Sequence, residues 1–162
     1  MREQRYHGHL KRFFPLGVAA MLVWWRWRPF PVEVEGESMA PALEPGDYLV
    51  AVRAKVIQAG SLVVVELPHR PGYEMVKRVA GVPGDQIADL TMGPDEYWVL
   101  GDNEEGSTDS RTFGPVPREA IHGQVVLRYW PIRRVAWPGS WSGLASDRPL
   151  ARNAGAVAPP RL

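Results

Sequence analysis

The chain has 162 residues, 45% of them apolar, with no cysteine and a formal net charge of +1. That length and apolar share suit one compact domain with appendages and exclude a disordered chain, while the lack of cysteine excludes disulfides, thiolate metal sites and a cysteine nucleophile. The charge is unevenly spread: six Lys/Arg against one acid over residues 1–28, eight against sixteen over residues 29–132, and five against one over residues 133–162.

Basic ends around an acidic body point to contact with anionic lipid and away from nucleic acid; the plainer reading is that terminal arginines only solubilise tails. Inside the basic N-terminus lies FFPLGVAAMLVWW, Phe13–Trp25. As a helix, 13 residues reach only about 20 Å, short of a hydrocarbon core of about 30 Å. Lys11, Arg12, Arg26 and Arg28 flank it, and Trp24, Trp25, Trp27 and Phe30 form an aromatic cluster of interfacial type. No small-x-small cleavage site follows, so residues 13–28 read as a retained anchor, spanning or interfacial, after a basic N-terminus of residues 1–12. Four Lys/Arg before the stretch and two just after it favour the N-terminus inside and the body outside.

After Pro29 the texture changes. PVEVEGES alternates apolar and acidic residues, as a strand with one wet face does. EPGDYLVAV reads as a turn and a strand, and GSLVVVELP as a β-branched strand ended by proline. YEMVKRVAGVPGD is a strand entering a Pro-Gly-Asp turn, and EYWVLGDN another strand entering a turn. REAIHGQVVLRYWP starts with a short helical turn and closes with a strand. The sixteen glycines and sixteen prolines predict many turns. The expected body, residues 29–132, is mainly β, with short strands. From Arg133 the pattern stops, and residues 133–162 read as a flexible basic tail.

Ser38 stands where an extended segment is broken by Met39 and Pro41, which exposes its hydroxyl. A serine needs a base to react at neutral pH. The histidines are His7, His9, His69 and His122, and a Ser-His-Asp arrangement is set by geometry and not by chain order. Lysine is the other candidate. Lys77 shares a strand face with Met75 and Val79, where desolvation would lower its pKa as a lysine base requires. The plainer reading is an edge-strand lysine pointing to water. The segment 97–116 gathers Gly101, Asp102, Asn103, Ser107, Asp109, Ser110 and Arg111. Such residues build turns, and they also supply the hydrogen bonds that orient an amine.

Three segments in order, GESMAPALEPGD, VKRVAGVPGD and GDNEEGSTDSRTFGPV, followed by IHGQVVLRYWP, resemble the Ser-Met, Lys-Arg and Gly-Asp-Asn boxes of the signal peptidase I family. The resemblance covers about Val32 to Pro131 and includes an apolar anchor ahead of the Ser-Met box. It implies a signal-peptidase-like β-fold and a membrane-anchored serine endopeptidase with Ser38 as nucleophile and Lys77 as general base. Ser107 then matches the serine that holds the amine, Asp109 and Arg111 the pair that braces the loop, and Asp102 the acid of the Gly-Asp-Asn box. Gly36 and Met39 fall at the oxyanion and substrate-pocket side of the nucleophile, and Gly36 has no hydroxyl to donate. Ala42 replaces the usual threonine of that box.

Only Gln86 to Leu100 separates the Pro-Gly-Asp turn from the Gly-Asp-Asn box, where large family members insert a further β-domain. The chain therefore resembles the minimal forms: the mitochondrial inner-membrane peptidases and small maturation peptidases such as the one that trims nickel superoxide dismutase. The resemblance implies no metal or cofactor, precursor proteins cleaved after small residues as substrates, and a place in the cell's inner membrane with the body on the outer face. A catalytically silent peptide-binding relative is the rival of another class, and retention of both Ser38 and Lys77 counts against it. A self-cleaving repressor would need a DNA-binding domain that residues 1–31 are too short to form. With the anchor this close to Ser38, Met39, Leu43 and Val76 either meet lipid or belong to the core.

Overall fold

The computed structural model describes Met21, residues 28–67 and residues 69–136. These residues are mainly β, as expected. The anchor expected over residues 13–28 lies, apart from Met21 and Arg28, outside them, and among the described residues no helix is long and apolar enough to cross a membrane.

The strands are β1 (Phe30–Glu33), β2 (Tyr48–Val52), β3 (Leu62–Glu66), β4 (Glu74–Gly81), β5 (Gln86–Ile87), β6 (Leu90–Thr91), β7 (Glu96–Leu100), β8 (Val116–Pro117) and β9 (Ile121–Trp130), with a one-turn helix α1 (Ser110–Phe113). Seven of them form one sheet in the order β1-β2-β9-β3-β4-β7-β8, antiparallel throughout. β5 and β6 form a separate hairpin.

The central strand β3 is the apolar run LVVVE, and it is buried on both faces. Leu62 and Val64 join a cluster with Val34, Met39, Leu43, Leu49, Ala51 and Val125. Val63 and Val65 face the other way, into a cluster with Ile57, Val79, Tyr97, Val99, Val116 and Ile121. A strand between two cores shows no apolar–polar alternation, which is why the segment reads as a continuous β-branched run. Met39 and Leu43, for which lipid was one reading, belong to the first core: each is at most 1% exposed. They pin the two ends of a single turn, closed by Leu43 N–H donating to Met39 O at 2.9 Å.

Composition drew the end of the body at residue 132, but ordered contacts run further. Ala136 bridges back to Arg128, the Arg134 carbonyl accepts from Arg128 Nε at 2.6 Å, and Arg134 pairs with Glu44. The loop after Ser38 is held by a buried ion pair. Arg128 Nη1 lies 3.1 Å from Asp47 and donates to the Ala42 carbonyl at 2.9 Å, while Asp47 also accepts from Glu44 N–H.

Candidate active site

β4 is the spine of the site. Lys77 and Arg78 are adjacent, so their side chains leave opposite faces of the strand, and both grip the loop that follows β7. Lys77 Nζ donates to Ser107 Oγ at 3.0 Å. Arg78 forms a two-pronged bond to Asp102, with Nε and Nη2 at 2.8 and 2.7 Å, and donates to the Gly60 carbonyl at 3.0 Å. Such a fork fixes orientation as well as distance. Sequence reasoning matched Asp102 to a motif but missed its partner. Arg78 showed only as the second letter of the Lys-Arg box, and nothing local tells which acid it will meet 24 residues on.

Lys77 is paired across the sheet with Val63 and is 1% exposed. The water-facing edge lysine is therefore not what the fold builds. Burial pushes its pKa below the ordinary lysine range, and Arg111 adds to this against the pull of Asp109 and Asp102.

The loop from Gly101 to Ser110 is held by Asp109, which is fully buried. Its carboxylate accepts from Gly101 N–H at 2.9 Å, from Arg111 N–H at 3.2 Å, and from the Arg111 guanidinium at 2.9 and 2.7 Å. Ser107 hydrogen-bonds it as well. Burial alone would raise the Asp109 pKa, but these donors, Arg111 foremost, hold it below the usual aspartate range. The Ser107 hydroxyl thus stands between the Lys77 amine and the Asp109 carboxylate, accepting from one and donating to the other. Asp109 also caps α1, and Ser110 accepts from Val99 N–H at 2.9 Å.

Ser38 sits in the turn after β1, half-buried, with its backbone gripped by the same loop: Asn103 N–H donates to the Ser38 carbonyl at 3.1 Å and Asn103 Nδ2 to the Glu37 carbonyl at 3.2 Å. Gly101 is wedged at the junction. A Cβ there would lie 2.1 Å from Ser107 Oγ and 2.6 Å from the Ser38 carbonyl oxygen. Only glycine lets the Ser107 and Ser38 segments close on each other. Gly101→Ala is expected to cost about 1–3 kcal/mol of stability by overpacking and to push the two serine segments apart. A lowered thermal midpoint together with lost activity in the protein that remains folded checks this.

Ser38 and Lys77 line one groove of about 570 Å³. Its walls are the extended segments Pro31–Met39 and Gly72–Lys77, and Val64 and Gly106 complete it. Gly36 is exposed on the wall, and a Cβ added there would meet nothing within 4 Å. Met39 lines the groove from beneath while rooted in the core. The histidine-based option fades: among the described residues neither His69 nor His122 lines the groove, and His122 is paired with Glu74 and Glu66, at 2.5 and 3.1 Å. Among the described residues no group of His, Asp and Glu is placed to hold a metal ion.

The family model for "Signal peptidase, peptidase S26" matches residues 7–91 and 88–130. The chain belongs to this family. Curated relatives agree. Mitochondrial inner membrane protease subunit 1 of Homo sapiens is 33% identical over 62% of this chain and 69% of its own length. The ATP-independent subunit 1a of Arabidopsis thaliana is 38% identical over 60% and 68%. Subunit 2 of Danio rerio is 32% identical over 76% and 73%. Membership makes the chain a signal-peptidase-type protease, and the family implies precursor proteins as substrates.

Proposed function

We propose that this signal peptidase family member is a membrane-anchored serine endopeptidase that works through Ser38 and Lys77. The observation that carries the reading is the buried Lys77 amine on Ser107, in a loop whose Gly101 rests against the Ser38 carbonyl. A lysine kept dry is biased toward the neutral form that a general base must have.

In the proposed reaction neutral Lys77 takes the Ser38 hydroxyl proton as Oγ bonds to the scissile carbonyl carbon. The oxyanion is met by backbone N–H groups, that of Ser38 among them, because Gly36 offers no side-chain donor. Lys77 returns the proton to the departing amine as the C–N bond breaks. Water, deprotonated by Lys77, then attacks the ester carbonyl, the C–Oγ bond breaks as the acyl group leaves, and Lys77 returns the proton to Ser38 Oγ. Ser107 is a positioning residue, held in turn by Asp109 and Arg111, with Asp102 and Arg78 fixing the loop from the other face of β4.

The groove suits an extended peptide. β1 pairs with β2 alone, and β4 pairs with β7 only from Arg78 onward, so both walls leave an open backbone edge among the described residues. A substrate strand can add to such edges. The groove has an apolar floor of Val32, Val34, Met39, Val64 and Val76, and a preference for small side chains at the scissile residue is what the family resemblance implies. The relatives are named as inner-membrane proteins. An N-terminal anchor in an inner membrane, with the body on its outer face, is proposed here on that ground and on the apolar, basic-flanked residues 13–28.

The test is cleavage of a precursor reporter with an Ala-x-Ala site by the detergent-solubilised full chain. Wild type should cleave it, and Ser38→Ala, folded to the same extent, should not. An intact reporter with wild type would sink the general reading in favour of a peptidase dedicated to one precursor.

A further inference from the structure

The groove carries different chemistry on its two surfaces. Its wall before Ser38 alternates Val32, Glu33, Val34, Glu35, Gly36, Glu37: the valines turn into the core, and the glutamates are exposed along the rim. Glu74 stands on the facing wall. Lys77, the one cation among the described lining residues, is buried and sends no charge to the rim. Glu33 is engaged by the Tyr48 hydroxyl and Glu74 by His122. Glu35 and Glu37 have no side-chain partner among the described residues.

We infer that the groove selects its substrate by charge as well as by size: the precursor segment it binds carries lysine or arginine at positions whose side chains face away from the apolar floor. The inference rests on the peptidase reading above and narrows its substrate class. Successive side chains of an extended peptide point to opposite sides. When two small side chains separated by one residue meet the floor, the residue between them meets the rim. Five residues of wall, Glu33 to Glu37, span about 17 Å, enough to run beside about five substrate residues. A basic side chain between the two small ones then lies beside Glu35 and Glu37, and an acidic one is repelled by both.

The test uses the full chain in detergent and three reporters identical except at the central residue of Ala-x-Ala: lysine, serine or glutamate. Exposed ion pairs give only a few-fold each. The expected order of kcat/KM is therefore lysine, serine, glutamate, with about tenfold between the extremes at low salt. The ratio should shrink toward one in about 1 M salt, where screening reaches within a few ångströms, and in the Glu35→Gln, Glu37→Gln double variant. Binding of the same three peptides to the Ser38→Ala protein should follow the same order. Equal cleavage of all three reporters, or a preference for glutamate, overturns the inference and leaves the peptidase standing. Lysine-preferring binding without cleavage by wild type overturns the peptidase reading and leaves the charge selection standing.

Discussion

Replacing Lys77 by Met is expected to lower kcat/KM on the small-residue reporter by about 10,000-fold while leaving stability unchanged or slightly raised. A positioned general base contributes about 100- to 10,000-fold, and the upper end is expected here because the described residues lining the groove include no histidine and no second lysine. Stability should move the other way. Lys77 is among the largest fully buried side chains of the body, and carrying an ammonium into that site is unfavourable. Methionine fills much the same volume without a charge and adapts to irregular space. Ser107 loses a donor but keeps its bond to Asp109. Denaturation midpoint and kinetics measured on one preparation separate the two effects. A variant that loses activity only because it unfolds would leave Lys77 a structural residue.

The pH dependence follows from the same burial. Because the folded protein holds Lys77 below its ordinary pKa, Lys77 is neutral and able to act only above that lowered value, and activity should rise as pH increases through it. The sign for stability agrees. Between the folded and unfolded pKa of this lysine the unfolded chain binds more protons, so its contribution makes the fold more stable as pH rises across that window. The penalty is largest below the folded value and gone above the unfolded one. In Lys77→Met the stability slope should disappear along with the activity.

The strands were legible because their cause is local: β-branched runs between glycine and proline turns, as in GSLVVVELP and EYWVLGDN. The β5–β6 hairpin was not. Its two-residue turn is Ala88-Asp89, with Ala88 at φ +52°, where glycine or asparagine would have announced the reversal. The residues proposed for the candidate site could be picked out only through the ordered motifs, because a serine in a turn and a lysine among valines each have a plainer meaning. What the motifs could not carry was the pairing between them. That Lys77 and Arg78 hold one loop from the two faces of β4, and that Arg128 reaches back to Asp47 beneath the Ser38 turn, depends on register between strands far apart in the chain.

Asp109→Ala should be the most destabilising single change in the site, by about 3–5 kcal/mol. Asp109 lies under the loop and receives donors from three residues, Gly101, Ser107 and Arg111. Truncation leaves the Gly101 N–H buried without its acceptor and strands the Arg111 guanidinium, whose remaining contact is Glu104 at 3.8 Å. It also frees Ser107 to rotate away from the Lys77 amine. Arg111→Ala removes the guanidinium but leaves the Asp109 carboxylate its donors from Gly101, Ser107 and the backbone of residue 111, so the loss should be smaller, about 1–3 kcal/mol. Chemical denaturation of the two variants side by side checks the order. Acid titration of the wild type gives an independent reading. Because Asp109 is held below its ordinary pKa when folded, its contribution is complete above the unfolded value near 3.8 and is lost as pH falls through the folded one. The wild type should therefore lose stability in acid more steeply than Asp109→Ala. Equal acid slopes would mean that the carboxylate does not brace the loop that holds Ser107 against Lys77.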